Sequence, residues 1–216
     1  MARITVLGGT GYAGSNIVAV AAARSHQVVA YSRNVPDAPV EGVEYRTGDV
    51  LDIVVLATAV EQTDVVISAL SPRGELSKPG TVRDVLRRLT GLAAAGGVRL
   101  GVIGGAGSLL VAEGGIRLID TPGFAEEYKP EGLEMAGALD DLRASGDDLD
   151  WFFVSPAGDF GAWVPGEATG VYRIGGDVLL KDADGRSAIS GADFAEAIVK
   201  EIEEPTHRRA RFTVAY

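Results

Sequence analysis

Apolar residues along this chain fall into two alternating rhythms. Short runs rich in β-branched residues occur at positions 4–7, 27–31, 43–47, 64–70, 98–103, 151–154 and 211–214, and each reads as a strand. Between them, apolar residues recur at helical spacing. A helix opens at Ser15, just after a glycine-rich turn. Val82, Val85, Leu86, Leu89 and Leu92 share one face of a predicted helix over 81–95. Leu133, Ala136, Leu139 and Leu142 stripe another at 130–144, with Pro130 in its first turn. Phe194, Ala195, Ile198 and Val199 face inward from a last helix at 191–203, capped by Ser190. The run LDIVVLATAV at 51–60 has strand propensity, but parallel strands need a crossover between them, so it is expected to be a helix. The alternation predicts an α/β fold, a doubly wound parallel sheet with its ligand loops on one edge.

The strand at the start of the chain runs into Gly8-Gly9-Thr10-Gly11-Tyr12-Ala13-Gly14 and then a helix. Strand, glycine turn and helix start make the geometry that binds a diphosphate, through unpaired N–H groups and the helix dipole. Gly8 permits the sharp turn, Gly11 a close approach of phosphate oxygens, and Gly14 close packing of helix on strand. The expected fold is therefore Rossmann-like. About 20 residues on, where a carboxylate would take the ribose hydroxyls of NAD, stand Ser32-Arg33-Asn34. Arg33 offers a fork of donors for the 2′-phosphate of NADP, or is a solvated loop arginine. Asp49 either accepts from the adenine amino group or caps the next helix.

Three later strands end in loops at the same edge: Ser71-Pro72-Arg73-Gly74, Gly104-Gly105-Ala106-Gly107-Ser108 and Ser155-Pro156-Ala157-Gly158-Asp159-Phe160. Ser108 is the only hydroxyl in its cluster, and reads as a site residue or as the cap of a turn. Arg83, Arg87 and Arg88 read as the solvated face of their helix. Residues 161–185 are glycine-rich, with β-like pieces at 171–173 and 178–180. No repeat or linker interrupts the chain. It reads as one domain over 1–216, in which 161–216 form a smaller C-terminal substrate lobe.

Composition narrows the function. The chain has 216 residues, 46% hydrophobic and 23% charged, which suits one folded core. A net charge of −10 argues against general nucleic-acid binding, while an anionic cofactor is still served by local backbone dipoles. No cysteine is present, so disulfides and thiol nucleophiles are excluded, and His26 and His207 cannot supply a multi-histidine metal centre. No apolar run approaches ~20 residues and no signal pattern opens the chain. A cytoplasmic monomer or homodimer is expected, with no membrane partner.

The whole length resembles the atypical short-chain dehydrogenases of the NmrA-like and NADH-flavin reductase group. The carrying motifs are GGTGYAG at 8–14, SRN at 32–34, GD at 48–49, SALS at 68–71 and GGAGSL at 104–109. EYKPE at 127–131, VSPAGDF at 154–160 and AISGADFAEAIV at 188–199 complete the match. The resemblance implies that Gly8, Thr10, Gly11, Tyr12 and Gly14 hold the diphosphate and Arg33 the adenosine end. It places Asp49 and Val50 by adenine, Ala69, Leu70 and Ser71 along the nicotinamide ribose, and Gly104, Gly105 and Pro156 near the nicotinamide.

One departure bears on chemistry. Carbonyl-reducing members use Tyr-x-x-x-Lys, but four residues past Tyr128 stands Gly132, and Lys129 is adjacent instead. Neighbouring side chains diverge on a helix, so this pair is not the dyad. A ketone needs its developing oxyanion stabilised, whereas a flavin spreads the charge over its ring. The expected reaction is hydride transfer from NADPH to a flavin or quinone-like aromatic acceptor, with Ser108 and Tyr128 as the candidate catalytic, positioning groups. The alternatives are an NADP(H)-sensing regulator without turnover and, more weakly, a sugar-nucleotide epimerase.

Overall fold

The computed structural model describes residues 1–216. In chain order it has β1 (Arg3–Leu7), α1 (Tyr12–Ala23), β2 (Gln27–Ser32), β3 (Glu44–Thr47), α2 (Ile53–Val60), β4 (Val65–Ser68) and α3 (Thr81–Gly96). Then follow β5 (Arg99–Ile103), α4 (Lys129–Arg143), β6 (Trp151–Ser155), β7 (Arg173–Gly175), α5 (Gly191–Glu203) and β8 (Ala210–Ala215). One eight-stranded sheet runs β3-β2-β1-β4-β5-β6-β8-β7, parallel except for β7. The first six positions reproduce the doubly wound dinucleotide order. No helix is long and apolar enough to cross a membrane.

Period-two alternation in the strands feeds two separate apolar layers. Val65, Ile67, Phe152 and Val154 face α1 and α5, meeting Ile17, Val18, Phe194 and Ile198. Val66, Leu100, Val102, Trp151 and Phe153 face the other way, onto Leu56 of α2, Leu86 and Leu89 of α3, and Leu139 of α4. α4 also completes α3. The buried Glu134 carboxylate accepts from the N–H groups of Gly80 and Arg83 at 2.8 and 3.0 Å, satisfying donors of the α3 N-terminus. Arg83, expected as a solvated face, pairs with Asp141 of α4 at 2.7 Å.

Residues 51–60 do form a crossover helix, beginning at Ile53, with Asp52 as its cap accepting from Val54 N–H at 2.9 Å. Packing decides against the strand: Leu56, Ala59 and Val60 are buried, while Val54 stays 66% exposed. The β-like pieces of the C-terminal segment need correction. Residues 171–173 become β7 two residues later, and 178–180 form no strand. Val178 makes one isolated bridge to Leu110, and Leu179 turns into the core. The segment expected as a smaller lobe divides in two. α5 packs on α1 and β8 joins the sheet beside β6, so outside the main body lies chiefly 161–190.

At the sheet edge opposite the loops, a buried ion pair joins β5 to α5. Arg99 Nη2 lies 2.6 Å from Glu201 Oε1, and the side chains are 8% and 3% exposed. Arg99 also donates to the Glu201 and His207 carbonyls at 2.8 and 2.9 Å, and its guanidinium lies over the Phe152 ring. Glu201 accepts further bonds from Thr206 and His207. Burial pushes the Glu201 pKa up, but its bonds from Arg99, Thr206 and His207 outweigh that and hold it at about 2, below the ordinary 4.5. The folded value is the lower one, so this stabilisation is complete above about pH 4.5 and is lost as the pH falls toward 2. Glu201→Gln should cost roughly 3 kcal/mol at neutral pH, because it leaves a buried guanidinium with only the longer, 3.5 Å contact to Asp150 as counter-charge. Urea unfolding at pH 7 and pH 3 should show the gap to the unmodified protein narrowing at the lower pH.

Candidate functional site

Parallel pairing decides where the loops emerge. Leu7 lies opposite Tyr31 on β2 and opposite Ser68 on β4, so these three strands end level. The residues that follow, Gly8, Arg33 and Ala69, therefore open on one edge. Asp49 after β3, Gly104 after β5 and Pro156 after β6 share it.

The turn after β1 is tightly built. Gly8 has φ +83°, and a Cβ there would fall 2.7 Å from the Ala69 carbonyl oxygen. Gly8 and Gly9 donate to the Tyr31 carbonyl at 2.9 and 3.0 Å, and Gly11 donates to the Gly8 carbonyl at 3.0 Å. Gly11 is the N-cap of α1 and supplies no side-chain cap. The N–H groups of Thr10, Tyr12, Ala13 and Gly14 consequently have no acceptor within the protein. They form a cluster of donors at the positive end of a helix. Gly14 is buried, and a Cβ on it would overlap the Gly8 carbonyl oxygen.

Beside this turn lies a cleft of about 340 Å³. Of the sequence-predicted residues it brings together Gly8, Thr10, Gly11, Arg33, Asp49, Val50, Ala69, Leu70 and Ser71. Arg33 is exposed and makes no hydrogen bond or ion pair, whereas every other arginine of the chain makes at least one. Asp49 Oδ1 accepts from Leu51 N–H at 2.9 Å, leaving Oδ2 free, and the cap of α2 is Asp52. Tyr31, Gly48, Arg73, Glu75 and Leu76 also line the cleft and were not singled out by sequence. The motif Ser71-Pro72-Arg73-Gly74 was the available signal for Arg73, which reaches Glu131 of α4 at 3.3 Å.

Tyr12, Gly14, Gly104, Gly105, Pro156, Ser108 and Tyr128 do not line this cleft. The Tyr12 hydroxyl is committed elsewhere: it accepts from Gly191 N–H at 3.1 Å and donates to the Pro165 carbonyl at 3.3 Å. Gly104 meets a packing demand, since a Cβ there would overlap the Phe153 ring, while space beside Gly105 is open. Pro156 is buried directly after β6. Ser108 Oγ accepts from Arg211 Nη1 at 2.8 Å, and Arg211 pairs with Asp177. Burial pushes the Arg211 pKa down, and Asp177 opposes that shift. Tyr128 caps α4, is 46% exposed, and its hydroxyl has no partner. Lys129 pairs with Glu126, so no ammonium attends the phenol. No three His, Cys, Asp or Glu side chains cluster as metal ligands.

This geometry agrees with comparisons to known proteins. A family model described as NAD(P)H-binding matches residues 8–205. The protein YwnB of Bacillus subtilis, itself uncharacterized, is 36% identical over 217 residues, spanning 98% of this chain and 97% of that one. A solved structure from Streptococcus pneumoniae, described as a "putative NADH-flavin reductase", is 34% identical with a TM-score of 0.87, covering 100% and 99% of the two chains. One from Burkholderia pseudomallei, described as a "putative exported protein", is 40% identical with a TM-score of 0.86 and full coverage of both.

Two glycines of the turn separate binding from stability. Gly11 has an ordinary φ of −72°, and its Cβ would meet only the Gly8 oxygen, at 3.4 Å. Gly11→Val should leave the melting temperature nearly unchanged and abolish binding of a nicotinamide dinucleotide in titration calorimetry. Gly14→Ala should instead lower stability by about 1–3 kcal/mol through overpacking, seen in urea unfolding without ligand.

Proposed function

This chain belongs to the NAD(P)H-binding family, and on that premise we propose that it is an NADPH-dependent reductase acting on a flavin or quinone-like acceptor. The observation that carries the reading is the pairing of four unpartnered N–H groups at the glycine turn and the start of α1 with an uncommitted Arg33 in the cleft beside that turn, which Thr10 and Gly11 also line. The first fits a diphosphate, and the second fits the extra phosphate of NADPH. Asp49 Oδ2 and Val50 would then receive adenine, and Ala69, Leu70 and Ser71 the nicotinamide ribose. Gly105, Pro156 and the backbone of Gly104 would lie by the nicotinamide.

A bound reduced nicotinamide supplies one hydride to the acceptor, which also takes one proton from solvent. The chain's own contribution is then alignment. Holding two rings at near-attack geometry lowers a barrier by up to roughly 7–11 kcal/mol. The surroundings of Ser108 and Tyr128 fit that role better than proton donation in a dyad. Ser108 Oγ is held by a guanidinium and can turn its hydrogen toward a ring carbonyl, and the Tyr128 hydroxyl has no lysine beside it. These features support an acceptor that stabilises its own charge.

Two sets of variants test the reading. Arg33→Ala should weaken NADPH binding by about 1.5–3 kcal/mol, the scale of a charge-assisted hydrogen bond, and leave NADH nearly unaffected. Equal losses for both in titration calorimetry would remove the 2′-phosphate assignment. Ser108→Ala and Tyr128→Phe should each slow stopped-flow NADPH oxidation with saturating flavin by about ten-fold. That falls below the ~10²–10⁴-fold contribution of a general acid. A thousand-fold drop for Tyr128→Phe would bring a carbonyl substrate to the front. Tight NADPH binding with no oxidation by any acceptor would replace the reductase by an NADP(H) sensor.

A further inference from the structure

We infer that Trp163 and Tyr128 form an aromatic wall on which an uncharged, planar, fused-ring acceptor stacks, the ring system of riboflavin being the type. The inference rests on the reductase reading and assigns the acceptor end of that site. The two rings are parallel, with an interplanar angle of 7° and centroids 6.5 Å apart. Trp163 is 62% exposed and Tyr128 46%. The chain has two tryptophans, and the other, Trp151, is fully in the core. Neither the Trp163 indole N–H nor the Tyr128 hydroxyl has a partner, so both remain available to a ligand. An exposed, ordered pair of aromatic faces contributes little to the core and offers a strong surface for a π-system.

The pair is held from both sides by the nucleotide-binding elements. Phe160 packs on Phe194 of α5 and edge-on against Tyr12, and the Pro165 carbonyl accepts from the Tyr12 hydroxyl. Residues 160–165 are thus fastened at both ends beside the glycine turn, with Trp163 between the fastenings. A Cβ at Gly161 would overlap the indole, so glycine is what lets the ring lie back on the strand of backbone that carries it. Tyr128 is anchored on the other side. It caps α4, where Glu131 pairs with Arg73 of the cleft and Gly132 packs on Gly107 of the loop after β5. The pair is thereby tied on one side to the glycine turn and on the other, through α4, to the loop after β5 that carries Gly105 and Ser108.

The charge around the wall selects the ring. Glu126 and Glu127 immediately precede Tyr128, and only Glu126 is paired, with Lys129. Within the screening length, the unpaired Glu127 repels a phosphate-bearing flavin and not riboflavin.

Titration of riboflavin and of FMN into the full-length protein saturated with NADP⁺, read by quenching of flavin fluorescence, tests this without turnover. Riboflavin should give saturable quenching. Trp163→Ala should raise its Kd about ten-fold, the scale of stacking on one aromatic ring, and Trp163→Phe should restore most of it. NADP⁺ affinity and the melting temperature should stay unchanged in both variants, and FMN should bind more weakly than riboflavin. Undiminished riboflavin affinity in Trp163→Ala, or no saturable quenching in the unmodified protein, would overturn the wall. FMN binding more tightly than riboflavin would overturn the choice of an uncharged ring. Steady-state NADPH oxidation reports separately on the reductase reading, so the two fail independently.

Discussion

The close contact between the first turn of α1 and the turn that follows β1 sets most of what this molecule can do. Gly14 lies against the Gly8 carbonyl, and that carbonyl also accepts from Gly11 N–H. Helix and turn are locked together with no side chain between them. The helix therefore starts with its donors unpaired and aimed along the carboxyl edge of the sheet. Its other face is committed to the core through Ile17 and Val18, so it cannot turn its N-terminus away. Because β1 sits between β2 and β4 with their ends level, the same edge receives the loops after those strands.

The charge distribution fits this arrangement. An acidic chain repels an anionic dinucleotide at long range, and screening confines that repulsion to roughly 8–10 Å at ordinary salt. Attraction must then be local. Backbone dipoles provide it at the helix start, and Arg33 provides it at the far end of the cleft. Elsewhere arginines are spent on structure: Arg99 on Glu201, Arg211 on Asp177, Arg83 on Asp141. Arg73 is intermediate, lining the cleft while tied to α4 through a long contact to Glu131.

Strand periodicity and the glycine turn made the fold legible from sequence, because both are local patterns. Residues brought together by level strand ends followed from topology, which is why Gly8, Arg33, Asp49 and Ala69 share one cleft. What sequence could not show were pairings made across the chain. Ser108 meets Arg211 at a separation of 103 residues, and Tyr12 meets Gly191 at 179. Gly104 read as room for a ligand ring, and the structure gives that space first to Phe153. The β-like piece at 178–180 had the right residues but no strand beside it to complete a ladder, since β7 already occupies the edge of β8.

Tyr12 shows how the two halves of the edge are joined. A phenol in the middle of a diphosphate turn invites the reading that it touches phosphate. Its hydroxyl is instead spent on Gly191 and Pro165, which fastens the start of α5 and the 160–165 segment to the start of α1. Only its backbone N–H is left for an anion. The residue thus divides its groups, main chain toward the nucleotide and side chain toward the segment that carries Trp163. Phe160 repeats the connection from the apolar side, against Tyr12 and Phe194. A 25-residue glycine-rich stretch at 161–185 would otherwise lose much conformational entropy on ordering across the edge. The Tyr12 bond to Pro165, the Asp193 bonds from Thr169 and Gly170 N–H and the pairing of β7 with β8 offset that cost, and the first of them holds the start of the segment beside the glycine turn.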